Sequence, residues 1–358
     1  MGDETPAQVV PLSRKERNSI ALNGLFVIAV LFTLYFAASL LLPIVVAVLL
    51  SILLAPAVRA ARRVGVPEPL SAAILVVALA IGLAATALLL TTPAQQWFER
   101  IPANFHRIEA KMRLLKKPLS EIQSTTETLE TATEVGPRRP LEVKVKRPGI
   151  VAQLLSGTPQ VLTSVGMVVL LLFMLLASGD AFLRKLVAIT PAFEDKKRAV
   201  EITRSIQTDI SLYLGTLTLL NGAVGTIVAA VFWALGIDNP LLWGVVATTL
   251  SFAPYVGSAV VFGLLAFTGL LQFDSWWWAL LPAISYILTM FICGNVIIPF
   301  LVGRRLTLSP LAIFVAIVFW GWMWGVVGAL VAVPLLASFK IVCDRIDPLQ
   351  PVAEFLAP

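Results

Sequence analysis

The sequence predicts an all-α polytopic membrane protein with eight hydrophobic segments and a small polar extracytoplasmic region. Three observations carry this. Hydrophobic residues make up 58% of the 358 and charged residues 13%, with a mean hydropathy of +0.89, against roughly 25% charged in soluble domains. Runs that are uncharged or nearly so, and long enough for a helix to cross a hydrocarbon core of about 30 Å, recur along the chain. Two of them, 240–271 and 310–343, exceed one plain crossing: each would be roughly 48 Å long as a straight helix at about 1.5 Å per residue, and each is interrupted by proline and glycine.

Residues 1–19 form a polar tail whose Arg14, Lys15 and Arg17 precede the first apolar run. The basic start resembles a signal peptide with Ala37-Ala38-Ser39 as its cleavage site, but a second apolar run follows at once, which favours an uncleaved helical hairpin. Three spans occupy 20–92: the first ends at Phe36, the second covers 40–58 and is kinked or started near Pro43, and the third covers 70–92. Arg59, Arg62 and Arg63 form a short basic loop between the second and third, which puts this loop and the N-terminus on the cytoplasmic side. The polar region 93–159 opens with Phe98, Ile101, Phe105, Ile108, Met112 and Leu115 at helical spacing. Pro118 is expected to end that helix. Leu119, Ile122, Thr126 and Leu129 suggest a second helical piece, and 141–146 alternates like a short strand. The helical stripe fits packing within the region, contact with the bilayer surface, or contact between subunits of a homo-oligomer. The fourth span, 160–179, returns to the cytoplasm. There 180–210 carries Phe182, Leu186 and Ile189, then Val200, Thr203, Ile206 and Ile210, on repeating faces, and reads as a helix along the membrane surface. Arg204 and Asp209, beside the fifth span, are candidates for coupling or gating. Residues 211–343 form the core and 344–358 a cytoplasmic tail.

Charge orients the second half. The fifth span ends at Ile237-Asp238-Asn239, and the tract 240–271 ends at Gln272-Phe-Asp274, both without Lys or Arg. If the tract crossed fully, Asp274 would be cytoplasmic and Arg304-Arg305 external, against the positive-inside bias. A re-entrant hairpin keeps both acidic loops outside and the arginines inside. The same holds for 310–343 entering from the cytoplasm, with Lys340 and Arg345 inside. Six full spans plus two re-entrant hairpins is therefore the preferred arrangement, eight full spans the alternative, and both put both termini in the cytoplasm. An internal repeat agrees with the first. Asn239-Pro240-Leu241 over Ser309-Pro310-Leu311, an offset of 70, brings Val245 over Val315, and a one-residue gap brings Gly257 over Gly328. The preceding spans correspond weakly, Tyr213 to Tyr286 and Thr216 to Thr289. Such copies, 211–271 and 276–343, would enter from opposite sides, the inverted symmetry that sets a midplane site in many transporters.

The motif SFAPYVG at 251–257 and the run from 294 to 337 resemble the autoinducer-2 exporter family of bacterial membrane permeases. The resemblance rests on Pro254-Tyr-Val-Gly257, Asn295 with Pro299, Gly303-Arg304, Leu308-Ser-Pro310, Trp320-Gly-Trp, Trp324-Gly325 and Pro334. Ala253 stands where members commonly have Ile. What the resemblance implies is an oligomeric transporter of the bacterial inner (cell) membrane. Some members are linked to export of autoinducer-2, others to sodium or lithium/proton exchange, so the solute does not carry over.

Polar groups inside the apolar tracts are few. Asn221 and Asn295 sit at similar places in the two candidate repeats, where interhelical hydrogen bonding competes with solute contact. Pro254, Gly257 and Pro334 would end half-helices, whose N–H ends attract anions and whose carbonyl ends attract cations; Tyr255 and Pro299 are candidates for the same solute pathway. Arg304 and Arg305 anchor a loop to the interface or gate. Trp320, Trp322 and Trp324 lie mid-tract and could line a cavity or a hairpin tip. Between Leu212 and Gly303 the only charged residues are Asp238 and Asp274, so coupling through a midplane carboxylate is disfavoured and a small, polar, uncharged solute fits better; a passive channel and an ion antiporter are the alternatives. His106 is the only histidine and Cys293 and Cys343 lack CxxC spacing, which argues against a metal site or cofactor. No HExxH, GxSxG or clustered carboxylates suggest an enzyme, and no basic stripe with interleaved aromatics suggests nucleic acid. The expected partners are the lipid bilayer and the solute.

Overall fold

A computed structural model describes residues 14–123, 158–179, 193–273, 275–297 and 308–357. No strand occurs among them. The expected strand at 141–146, the apolar face of Phe182, Leu186 and Ile189, and Asp274, Pro299, Arg304 and Arg305 lie outside the described residues.

α1 (Arg14–Phe36) and α2 (Ala38–Arg63) are joined through Ala37 alone. α2 begins before Pro43 and runs on through Pro56, and Arg59, Arg62 and Arg63 complete it instead of forming a loop. Arginine is a strong helix former, and positive charge is favoured at a helix C-terminus. The turn that follows is clasped by an ion pair from Arg62 to Glu68.

α3 (Glu68–Gln123) is one helix of 56 residues, roughly 84 Å at about 1.5 Å per residue, so it extends well past any bilayer. Pro93, Pro102 and Pro118 all lie inside it, and Pro118 does not end it. Each proline removes one backbone bond, and the Ala, Gln, Leu, Lys and Glu between them carry the helix on. α4 (Thr158–Ser178) follows.

α5 (Phe193–Ala234) joins the charged amphipathic stretch to the fifth span in one helix of 42 residues. The expected separate helix on the membrane surface is not formed from 193 onward. No Pro or Gly interrupts 193–214, and the apolar face is covered by protein: Ile210 and Leu214 cluster with Ile341, with Ile206, Tyr213 and residues of α2 around them.

α6 (Pro240–Leu250) and α7 (Val256–Gln272) are separated by Ser251–Tyr255. α8 (Trp276–Ile292) passes into a π-turn, Cys293–Ile297. α9 (Pro310–Arg345) is interrupted by non-helical geometry at Gly325, and α10 (Gln350–Phe355) closes the described chain. Among the described residues six helical stretches are long and apolar enough to cross a membrane: Ala38–Arg63, Glu68–Phe98, Val161–Ser178, Val200–Ala234, Trp276–Asn295 and Pro310–Arg345. The last bends back on itself, as described below.

Besides the Ile210–Leu214–Ile341 cluster, two larger cores hold these helices. Ala47, Val58, Ala72, Val76, Leu172 and Leu176 join α2, α3 and α4. Val224, Val228, Phe232, Trp243, Val261, Leu265 and Tyr286 join α5 to α8. Apolar helices gain nothing in lipid by leaving water, so close packing of small residues matters. At the α5–α6 crossing a Cβ on Gly244 would lie 2.7 Å from the Gly225 carbonyl oxygen and 2.9 Å from Ala229 Cβ.

Candidate functional site

The site is built from two helical reversals. In the first, the Gln272 amide donates to the Gly236 carbonyl at 3.0 Å, and the Asp238 N–H donates to the Gln272 side-chain oxygen at 3.4 Å. The chain that leaves through α6 thus returns through α7 to its starting level. At about 16 Å and 26 Å, neither helix alone matches a hydrocarbon core of about 30 Å.

The reversal itself is tight. Tyr255 has φ 63° and ψ −63°, and the Val256 N–H donates to the Pro254 carbonyl at 2.7 Å. This is a γ-turn of the rare, strained hand. Gly257 follows because a Cβ there would overlap the Leu250 carbonyl oxygen.

In the second reversal Gly325 adopts φ 67° and ψ −151°, a region open essentially to glycine. Beyond it a Cβ on Gly328 would overlap the Trp320 carbonyl oxygen and lie 2.7 Å from Trp324 Cβ. In an unbroken helix, residues eight apart are about 12 Å apart along the axis, so the two arms, 310–324 and 326–345, run back to back. Ala316 and Ile317 of one arm pack on Ala332 and Val333 of the other. At the base the Ser309 N–H donates to the Leu356 carbonyl at 3.0 Å. Pro334, expected to end a half-helix, is buried inside the second arm; a proline there removes one bond, whereas Gly325 supplies the dihedrals a reversal needs.

The first reversal packs against the arms of the second hairpin. Ala253, in the first break, belongs to the same buried cluster as Ala316, Ile317, Ala332 and Val333, with Trp320 packed against it. The second tip also packs on α1: the Trp324 indole N–H donates to the Leu34 carbonyl at 3.2 Å, and Trp322 stacks on Tyr35 with centroids 5.9 Å apart. Trp320 and Trp324 contact each other at 4.4 Å.

Of the residues singled out from sequence, Asn221, Pro254, Tyr255, Gly257, Trp320 and Trp324 fall on or beside the two reversals. Asn221 is 7% exposed, and its side-chain nitrogen is buried without a hydrogen-bond partner. It lies one turn before Gly225, whose face meets Gly244 and Thr248, so on that face it stands level with the end of α6, where the break begins. Asn295 behaves differently: it donates to its own helix, to the Phe291 carbonyl at 2.9 Å, from an exposed position at the π-turn. Arg204 is exposed on α5, while Asp209 pairs with Arg345.

Three contributors were missed. Ser251 and Tyr286, both buried, bring their hydroxyls to 3.5 Å beside the first break; the alignment of Tyr213 with Tyr286 was the available signal. Arg345, the last residue of α9, pairs with Asp209 across 136 positions of sequence, a distance no local pattern bridges. Lys340 and Asp344 pair at 2.8 Å one turn earlier. No described residue of α6, α7, α8 or the first break carries a formal charge, and no group of three or more His, Cys, Asp or Glu able to hold a metal occurs among the described residues. Hydroxyl, amide and backbone groups are what the break offers.

A family profile described as AI-2E family transporter matches residues 25–347. The chain is similar to AI-2 transport protein TqsA of Escherichia coli, 26% identical over 349 residues that cover 94% of this chain and 97% of that one. It is also similar to YhhT of Escherichia coli, 24% identical over 97% of both chains, and to a chain of Borreliella burgdorferi, 30% identical over 204 residues, 54% of each. A membrane transporter is what these likenesses and the apolar helices together describe, and the chain belongs to the AI-2E transporter family.

Proposed function

We propose that the protein moves a small, polar, uncharged solute across the bacterial inner membrane, along a path that passes between the tips of two re-entrant hairpins, α6–α7 and α9. The observation that carries this reading is Asn221. A buried donor without a partner is costly, of order 1–3 kcal/mol, and it stands beside a helix break whose hydroxyls are loosely paired. A passing oxygen-bearing solute supplies the missing acceptor. The absence of charge on α6–α8 and the first break disfavours an ion as cargo. Similarity to TqsA makes AI-2 the first solute to assay.

Six crossings, α1 to α5 and α8, with hairpins entering from opposite sides, keep both termini in the cytoplasm. Matching roles support an inverted repeat: Gly257 lies against the Leu250 carbonyl and Gly328 against the Trp320 carbonyl, the glycines at an offset of 71 and the carbonyls at an offset of 70. The Asp209–Arg345 pair ties the base of the second hairpin to α5 and is assigned to gating. A homo-oligomer is part of this reading, through the projecting end of α3.

Counterflow in proteoliposomes tests it. Asn221→Leu is expected to cut transport at least tenfold and Asn295→Leu to leave it within twofold; equal rates for wild type and Asn221→Leu would refute the path.

A further inference from the structure

A small recess with a largely apolar wall and a few polar groups lies away from the tips, at the base of the first hairpin. Its volume is about 70 Å³, and Trp97, Asp238, Asn239, Trp243, Thr268 and Gln272 line it. Trp97 comes from α3, far away in sequence. Its ring stands edge-on to Trp243 at 5.4 Å and 79° and to Phe267 at 6.2 Å and 74°, so the indole is wedged into place. Yet its N–H is buried without an acceptor, and a buried indole N–H ordinarily finds one. None of the lining oxygens is bonded to it. The Gln272 side-chain oxygen accepts the Asp238 N–H at 3.4 Å, and the Thr268 hydroxyl is turned to the Leu264 carbonyl at 2.8 Å.

We propose that this recess is a binding site for a neutral oxygen-bearing compound, an alcohol or a carbonyl, whose oxygen accepts the Trp97 N–H while its C–H face rests on Trp243. Asp238 and the lack of Lys or Arg in the lining disfavour an anion. The volume suits a ligand of a few heavy atoms, or one end of a longer one, since a single water needs about 10–15 Å³. The site is independent of the path between the tips, because binding alone tests it.

The full chain in lipid nanodiscs is titrated with glycerol, erythritol and dihydroxyacetone, each followed by tryptophan fluorescence. At least one is expected to saturate in the wild type. Trp97→Phe, which keeps a ring and removes the N–H, is expected to raise its half-saturation about tenfold, the size of one hydrogen bond. Trp277→Phe, at a ring 84% exposed, is expected to leave it unchanged. Thr268→Met, filling the recess with Trp97 intact, is expected to abolish saturation. No saturation with any of the three probes, or equal half-saturation in wild type and Trp97→Phe, or saturation surviving Thr268→Met, overturns the proposal.

Discussion

Replacing Gly325 with alanine adds a Cβ where the backbone stands at φ 67° and ψ −151°, a conformation that costs a side-chain-bearing residue of order 1–3 kcal/mol. No heavy atom lies within 4 Å of that Cβ, so the cost is one of dihedrals, without a clash. In a continuous helix the same substitution would have the opposite sign, stabilising by about 0.8–1.0 kcal/mol, because alanine is the better helix former. The direction of the change therefore separates a reversed α9 from a straight one. Gly321→Ala is the internal control. It sits in the helical first arm with its Cβ at an ordinary 3.5 Å from Ala329 and is expected to be neutral or slightly stabilising. Thermal unfolding of the purified protein in detergent reads both, at about 2–4 °C of Tm per kcal/mol for chains of 150–250 residues and somewhat less for a longer one. A fall of a few degrees for Gly325→Ala with no fall for Gly321→Ala is expected. A rise for Gly325→Ala would refute the reasoning.

Further outcomes follow from single contacts. Gly257→Ala is expected to lower Tm by several degrees, because its Cβ would overlap a backbone oxygen that cannot swing away, while Gly263→Ala, with open space around it, is expected to be neutral or stabilising. Asn221→Leu is expected to raise stability by about 1–3 kcal/mol, since it removes an unpaired buried donor, in the same protein whose transport it lowers; a fall in Tm would mean that the amide has a structural partner. Tyr255→Gly is expected to stabilise by about 1–3 kcal/mol through relief of the positive φ, measured by the same melt. Asp209→Asn is expected to change stability by less than about 1 kcal/mol, because the pair with Arg345 is 35% and 43% exposed, so that any loss of transport it causes reflects gating; a large drop in Tm would contradict that.

The first reversal was legible because Pro254 and Gly257 are chemical breakers inside an otherwise uniform apolar tract. The second was legible only as a length excess. Of its candidates, Pro334 is tolerated inside an arm, and Gly325 is what turns the chain, a choice that depends on which carbonyls the arms present to each other. Pro118 misled for the same reason: a single missing backbone bond does not end a helix flanked by strong helix formers. Asn221 and Asn295 looked equivalent by register, yet the π-turn after α8 lets one bond its own helix while the other is buried against α6. Side-chain periodicity found the apolar face of α5 but not what covers it, since Ile341 and the α2 residues lie far off in sequence. The Asp209–Arg345 pair and the wedge of Trp97 on Trp243 are long-range pairings of the same kind.

The central claim is that the tract from Pro310 to Arg345 doubles back within the membrane. Spin labels on cysteines placed at Leu311 and Phe339, both exposed, measure this directly in a background where the buried Cys293 and Cys343 are replaced by serine. Arms packed at about 8–10 Å with flexible label tethers predict a separation below about 20 Å. A straight helix would hold the labels about 42 Å apart, and that distance, found in lipid, would contradict the account.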